Sequence, residues 1–186
     1  MIERVRSRLR NRGEAGYSLV EMLTVMVIMS IVFAGITTVF VAGSKAQTEQ
    51  DRRFQAQLST RLALDKIRRD VHCGNDVTPY ATDSITVKIP SGCSGGDVSW
   101  CTAAVSGWTN RYKLYRQLGT SCSSGTGTLI ADYLTSGSVF PAFAHTVGCG
   151  CLASLQVDFK VSVKGSATVD TYELNDTIYL RNSTRI

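Results

Sequence analysis

Arg12-Gly13-Glu14-Ala15-Gly16-Tyr17-Ser18-Leu19-Val20-Glu21-Met22-Leu23-Thr24-Val25 is the stretch from which the rest of the chain can be read. Its character changes in the middle. Arg4, Arg6, Arg8, Arg10 and Arg12 precede Gly16, whereas residues 13–44 contain no Lys or Arg. From Leu19 to Ala42 every residue is apolar except Glu21, Thr24, Ser30, Gly35, Thr37 and Thr38. At ~1.5 Å per residue, a helix of this stretch is about 36 Å long, enough to cross a hydrocarbon core of ~30 Å. A secretory signal peptide has a shorter apolar region and a small-residue cleavage site after it, and neither feature is found here. The arginines flanking the start orient the N-terminus to the cytoplasm and the rest of the chain outside.

Glu21 is the one charge inside the apolar stretch. A bare carboxylate in lipid costs a few kcal/mol even on lenient insertion scales. It therefore has a partner there, or it sits at the interface and snorkels to the headgroups. Hydropathy alone leaves both readings open.

The chain has 186 residues, of which 44% are hydrophobic and 19% charged. That suits one ordinary domain with an appendage and excludes collagen-like, coiled-coil and wholly disordered chains. The net charge of +5 is unevenly spread. Residues 1–16 carry five Arg against Glu3 and Glu14, and residues 74–186 carry eight basic and eight acidic side chains. The basic balance is thus N-terminal, and the C-terminal part shows no overall nucleic-acid footprint.

A basic leader ending in Gly16, an aromatic, three residues, Glu21 and a long apolar run together resemble the cleavage motif of type IV pilins and pseudopilins. The family usually has Phe where Tyr17 stands, and Tyr keeps the ring. The resemblance implies that a prepilin peptidase cuts after Gly16 and N-methylates Tyr17. Glu21 becomes the fifth mature residue, one helical turn from the new amine, where it neutralises that amine or a neighbour's. The family is thought to use the neighbour's amine to set subunit register. The implied partners are the peptidase, other pilins in a filament, and an assembly ATPase with its platform protein. No cofactor is implied. The chain would sit in the inner membrane in one pass, and after processing in a periplasmic or extracellular filament. Many major pilins carry a Pro in the membrane half, and no Pro precedes Pro79 here. That leans toward a minor pilin or pseudopilin.

The domain plan follows: a leader at 1–16, a polymerisation helix at 17–43, an amphipathic helix at 44–73 and a β-sheet domain at 74–186. Ser30, Ala34, Thr38 and Ala42 form a ridge for close helix approach, or simply reflect the small residues common in membrane helices. Residues 44–71 lack Pro and Gly and extend the helix to about 50 residues, ~75–80 Å. Two apolar rows mark this half. Leu64, Ile67 and Val71 form the face expected on the sheet. Phe54, Leu58 and Leu62 point to another side, well over 90° away, and are expected in the core rather than against neighbouring subunits. Arg61, Lys66, Arg68 and Arg69 with Asp65 and Asp70 read as a charged surface, with pairs Arg61–Asp65 and Lys66–Asp70. The run 64–71 is also reminiscent of the J-type pseudopilins.

The helix is expected to end at His72-Cys73-Gly74-Asn75, with Gly74 and Asn75 as capping residues. Period-two patterns then predict strands at 84–89, 111–117, 128–131, 155–163 and 169–180, separated by Gly/Ser loops. A helix followed by strands predicts an α+β fold, a long N-terminal α-helix packed on a C-terminal antiparallel sheet, as in pilins.

Cys73, Cys93, Cys101, Cys122, Cys149 and Cys151 all follow the apolar stretch. An even number on the outer side reads as disulfides, with 15 possible pairings. Cys93 with Cys101 is the expected pair, and Cys149 and Cys151 are expected to bridge to different partners. A zinc site from His145, Cys149, Cys151 and His72 or Cys73 is disfavoured, because no C-x-x-C knuckle exists and the compartment is oxidising. There is no G-x-S-x-G, H-E-x-x-H or P-loop, so no catalytic residues and no metal are assigned.

Trp108, Arg111, Tyr112, Lys113, Tyr115 and Arg116 interleave basic and aromatic residues, as single-strand nucleic-acid binders do. Arg111, Lys113 and Arg116 are thus candidate nucleic-acid contacts. The favoured reading is a strand with Tyr112 and Leu114 toward the core and Arg111 and Lys113 toward water. The leading reading of the whole chain is a filament subunit that acts by polymerising and is not an enzyme. The alternatives are a pilus-tip module binding DNA or surfaces, and a single-pass anchored extracellular domain that never assembles.

Overall fold

The computed structural model describes residues 17–93, 95–145, 150–164 and 171–183. The leader 1–16, with Gly16, and Cys149 lie outside the described residues. The chain divides into two compact units, Met1–Thr48 and Glu49–Ile186. A single helix, α1 (Leu19–Cys73), runs through both.

Among the described residues eight antiparallel strands follow: β1 (Asp76–Tyr80), β2 (Ser84–Lys88), β3 (Val98–Ala104), β4 (Tyr112–Leu118), β5 (Thr128–Leu134), β6 (Ala142–Ala144), β7 (Ser154–Val161) and β8 (Tyr172–Tyr179). Their order is β1-β2-β3-β4-β5-β7-β6, with β8 also on β7. The fold is α+β, as the helix-then-strands pattern predicts. Three strands go beyond the pattern. β1 carries Pro79, which confines it to an edge position where a missing N–H is tolerated. β6 has only three residues, and β3 draws on small residues that carry little strand signal of their own.

One core holds the second unit together. Ala56, Ala63, Leu64, Ile67 and Val71 of α1 join Trp100, Leu114, Leu155, Phe159 and Ile178 of the sheet in a single buried cluster. The row Leu64, Ile67, Val71 is therefore the sheet-facing one, as expected. The row Phe54, Leu58, Leu62 is not core: these side chains are 66%, 45% and 53% exposed. The small residues Ala56, Thr60 and Ala63 take the buried positions instead. A helix face is chosen by close approach to the sheet, which small side chains permit.

α1 stops where expected, with the Gly74 N–H donating to the carbonyls of Asp70 and Val71, both at 3.0 Å. The reason differs from the expected cap. Gly74 has no left-handed φ. Glycine is required there because a Cβ would lie 2.5 Å from Val87 Cγ1 on β2.

The expected Cys93–Cys101 bridge is replaced by two others, Cys73–Cys93 and Cys101–Cys122. The first ties the end of α1 to the β2–β3 loop, and the second ties β3 to the β4–β5 loop. Cys151 is also disulfide-bonded. The expectation for Cys149 and Cys151 falls on Cys149, outside the described residues, whereas Cys101 takes Cys122 and not Cys93. Strand pairing decides this. Cys101 is locked opposite Tyr115 in the β3–β4 ladder and faces the loop holding Cys122, whose sulfur lies 3.8 Å from the Tyr115 carbonyl oxygen.

Candidate assembly site

The first unit contains the residues on which the pilin resemblance rests. Tyr17 and Ser18 precede the helix, and the Ser18 carbonyl accepts from the Glu21 and Met22 N–H groups at 2.9 and 3.1 Å. Glu21 thus sits in the first turn, where the helix dipole favours an acid. The large apolar side chains of the stretch, from Leu19 to Val41, are exposed. The helix is long and apolar enough to cross a membrane.

The polar residues of the apolar stretch fall into two groups. Thr24, Ser30, Thr37 and Thr38 each donate a hydroxyl hydrogen bond to a carbonyl three or four residues back, at 2.7 to 2.9 Å. These groups are satisfied inside the helix and cost little in an apolar surrounding. The Glu21 carboxylate has no such partner among the described residues. The ridge residues Ala34, Thr38 and Ala42, with Thr37, Val41 and Lys45, line a shallow groove on the helix surface.

The second unit disperses the other candidates. Arg111 donates to both oxygens of Asp132, at 3.2 and 3.0 Å, and its guanidinium stacks 4.1 Å from the Tyr133 ring and 5.3 Å from that of Trp108. Hydrogen bonding to Asp132 raises its pKa above the ordinary arginine value. Lys113 Nζ lies 3.9 Å from the same carboxylate. Arg116 reaches across to α1 and donates to Asp70 from Nε and Nη2, at 2.8 and 3.1 Å. Each of the three candidate nucleic-acid contacts is therefore engaged with a carboxylate. Leu114 is buried, as expected, while Tyr112 is half-buried.

Sequence spacing missed the role of Asp70. It is not part of a charged surface: it is 8% exposed and also accepts the Trp100 Nε1–H at 3.1 Å. The expected pairs Arg61–Asp65 and Lys66–Asp70 are absent among the described residues. Arg61 donates to the Tyr172 hydroxyl, and Asp65 accepts from Arg68. The only signal for Asp70 was its place one residue before Val71, on the buried arc of the helix.

The residues of the disfavoured zinc site do not converge among the described residues, and Cys149 lies outside them. His72 Nδ1 is 3.0 Å from the Tyr179 carbonyl, His145 lies 3.5 Å from Asp76, and Cys73 and Cys151 are in disulfides. No group of three His, Cys, Asp or Glu suited to a metal occurs among the described residues.

No curated protein and no solved structure matches the chain. The family described as the prokaryotic N-terminal methylation motif matches residues 11–37, which covers Gly16, Tyr17, Glu21 and most of the apolar stretch. An exposed apolar helix, an acid in its first turn and that match agree: the chain carries the N-terminal signature of type IV pilins, which marks it as a pilin- or pseudopilin-like substrate of a prepilin peptidase.

Proposed function

We propose that the chain is a structural subunit, a minor pilin or pseudopilin, of a type IV pilus or a type II secretion-like filament. It inserts with its N-terminus in the cytoplasm, is cut after Gly16, is methylated at Tyr17 and leaves the membrane for the fibre with its sheet domain outward. An assembly ATPase and its platform protein drive that step. The chain works by polymerising and turns over no substrate.

The observation that carries this reading is that the Glu21 carboxylate meets no partner among the described residues. The hydroxyls of the apolar stretch are satisfied within the helix, and the Glu21 carboxylate is not. Cleavage after Gly16 creates an amine at Tyr17 that is equally costly in an apolar bundle. Two charges that are each expensive alone are less so as a pair, so an incoming amine is drawn to a waiting acid.

Terminal sequencing of the mature protein from its host is expected to give methyl-Tyr17 as the first residue. Glu21→Ala is expected to insert normally and enter the fibre at least about tenfold less, since leaving a charge unpaired costs more than ~1.4 kcal/mol. Retention of the arginine-rich leader, or equal incorporation of the variant, sinks the proposal.

A further inference from the structure

The face of α1 opposite the sheet carries a pattern of its own. At ~100° per residue, Asp51, Phe54, Leu58, Leu62, Lys66 and Arg69 fall within about 120° of the helix circumference. The core positions Ala56, Thr60, Ala63, Leu64, Ile67 and Val71 occupy the other side. The six are exposed. The stripe is acidic at one end, apolar in the middle and basic at the other.

Its charges are uncompensated among the described residues. Among the described residues Asp51 meets no cation, and Lys66 and Arg69 meet no carboxylate. The acids nearest to them are spent: Asp65 accepts from Arg68, and Asp70 holds Arg116 and Trp100. Lys66 and Arg69, with Asp70, Arg116, Thr128 and Ile130, line a cleft of about 270 Å³, room enough for an incoming side chain. Three large exposed apolar residues in one row are also more than a solvated helix face requires.

We infer that this stripe is an interface between copies of the chain, in which Asp51 of one copy enters the Lys66/Arg69 cleft of the next. The inference rests on the filament reading and names a contact that the reading leaves open. Asp51 and Arg69 lie five helical turns apart, so two parallel copies displaced by ~22–27 Å along the axis bring the acidic end of one to the basic end of the other. The contact joins different ends of the stripe, is heterologous, and propagates into an open fibre instead of closing into a dimer. Phe54, Leu58 and Leu62 lie between the charged ends and lose water as the copies meet. A second copy is favoured over another partner because one stripe carries both complementary ends.

Zero-length carbodiimide coupling of fibres containing the full-length processed chain tests the contact. An isopeptide bond between Asp51 and Lys66 is expected. The two residues are about 22 Å apart along one helix, so that bond can join only two chains. Lys66→Arg keeps the charge and loses the bond. Asp51→Lys, an exposed change that leaves the fold intact, is expected to lower incorporation about fivefold, the scale of an exposed ion pair. Adding Lys66→Asp and Arg69→Asp to it is expected to restore incorporation. Fibres that contain the chain but no Asp51–Lys66 bond overturn the inference and leave the filament reading standing. So does Lys66 coupled to a carboxylate of a different protein, or unchanged incorporation of Asp51→Lys. A mature chain found only as single molecules in the membrane overturns both.

Discussion

Asp70 of α1 and Arg116 of β4 form a two-pronged ion pair, at 2.8 and 3.1 Å, that fastens the helix to the sheet. The Trp100 Nε1–H shares the carboxylate, and the Arg116 guanidinium lies 6.0 Å from the Trp100 ring. Trp100 and Arg116 are themselves opposite one another in the β3–β4 ladder. Three elements therefore meet at one buried carboxylate, and the hydrogen bonds that Arg116 donates to Asp70 raise the Arg116 pKa.

Removing one partner of such a pair leaves the other without compensation, which costs more than the pair contributes. Asp70→Ala is expected to destabilise the folded chain by about 3–5 kcal/mol. The double change Asp70→Leu/Arg116→Met is expected to recover much of that loss, because no buried charge remains. Denaturant unfolding of both variants in detergent checks this, and equal loss in the two would contradict it.

The two apolar rows of the helix differ sharply under truncation. Ile67 is fully buried, and Ile67→Ala is expected to cost about 2–5 kcal/mol in transfer and cavity terms. Leu58→Ala lies on the exposed row and is expected to change stability by no more than ~0.5 kcal/mol. Parallel melting curves separate them. A large loss for Leu58→Ala would return that row to the core.

Gly74→Ala brings a methyl group into the space of Val87, which is fully buried on β2. The expected cost is about 1–3 kcal/mol, the range for overpacking a tight core. The second change Val87→Ala in the same chain is expected to relieve part of the clash. A Gly74→Ala protein that melts like the parent would show that the helix end can move away from β2.

Asp97 bonds Lys88 Nζ at 2.7 Å and accepts the Ile89 N–H at 3.3 Å. The Lys88 bond is the main reason its pKa lies below the ordinary 3.8, against an opposing effect of burial. A carboxyl with a lowered folded-state pKa contributes stability that is complete above its ordinary value. The contribution fades as pH falls below 3.8 through the folded value, because the folded chain must then take up a proton it resists. Asp97→Asn is expected to lower stability modestly at neutral pH, by up to ~1 kcal/mol, and to flatten the pH dependence below about pH 4. Urea midpoints from pH 2 to pH 7 test both, and a parallel offset at every pH would contradict the assignment.

Much of the fold was legible in the sequence because it is written locally. An apolar run whose one charge is Glu21 specifies an apolar helix wherever it lies, and Gly74 marks the helix end whatever the exact reason. Period-two alternation from Ile85 to Ile89 or from Leu155 to Val161 reports one buried sheet face. The pilin signature at Gly16, Tyr17 and Glu21 is likewise a matter of order along the chain.

Tertiary structure alone decided what depends on distant partners. Charge and spacing do not distinguish a solvated Asp70 from one clamped between Trp100 and Arg116, because the clamp comes from strands 30 and 46 residues away. Spacing favoured Cys93 with Cys101, but the sheet brings Cys93 to Cys73 and Cys101 to Cys122. The choice between the two apolar helix rows was also out of reach, since hydropathy favours burying Phe54 and Leu58, while the sheet accepts the face where Ala56, Thr60 and Ala63 permit close contact. Local order sets which elements form, and the packing of those elements sets which side chains meet.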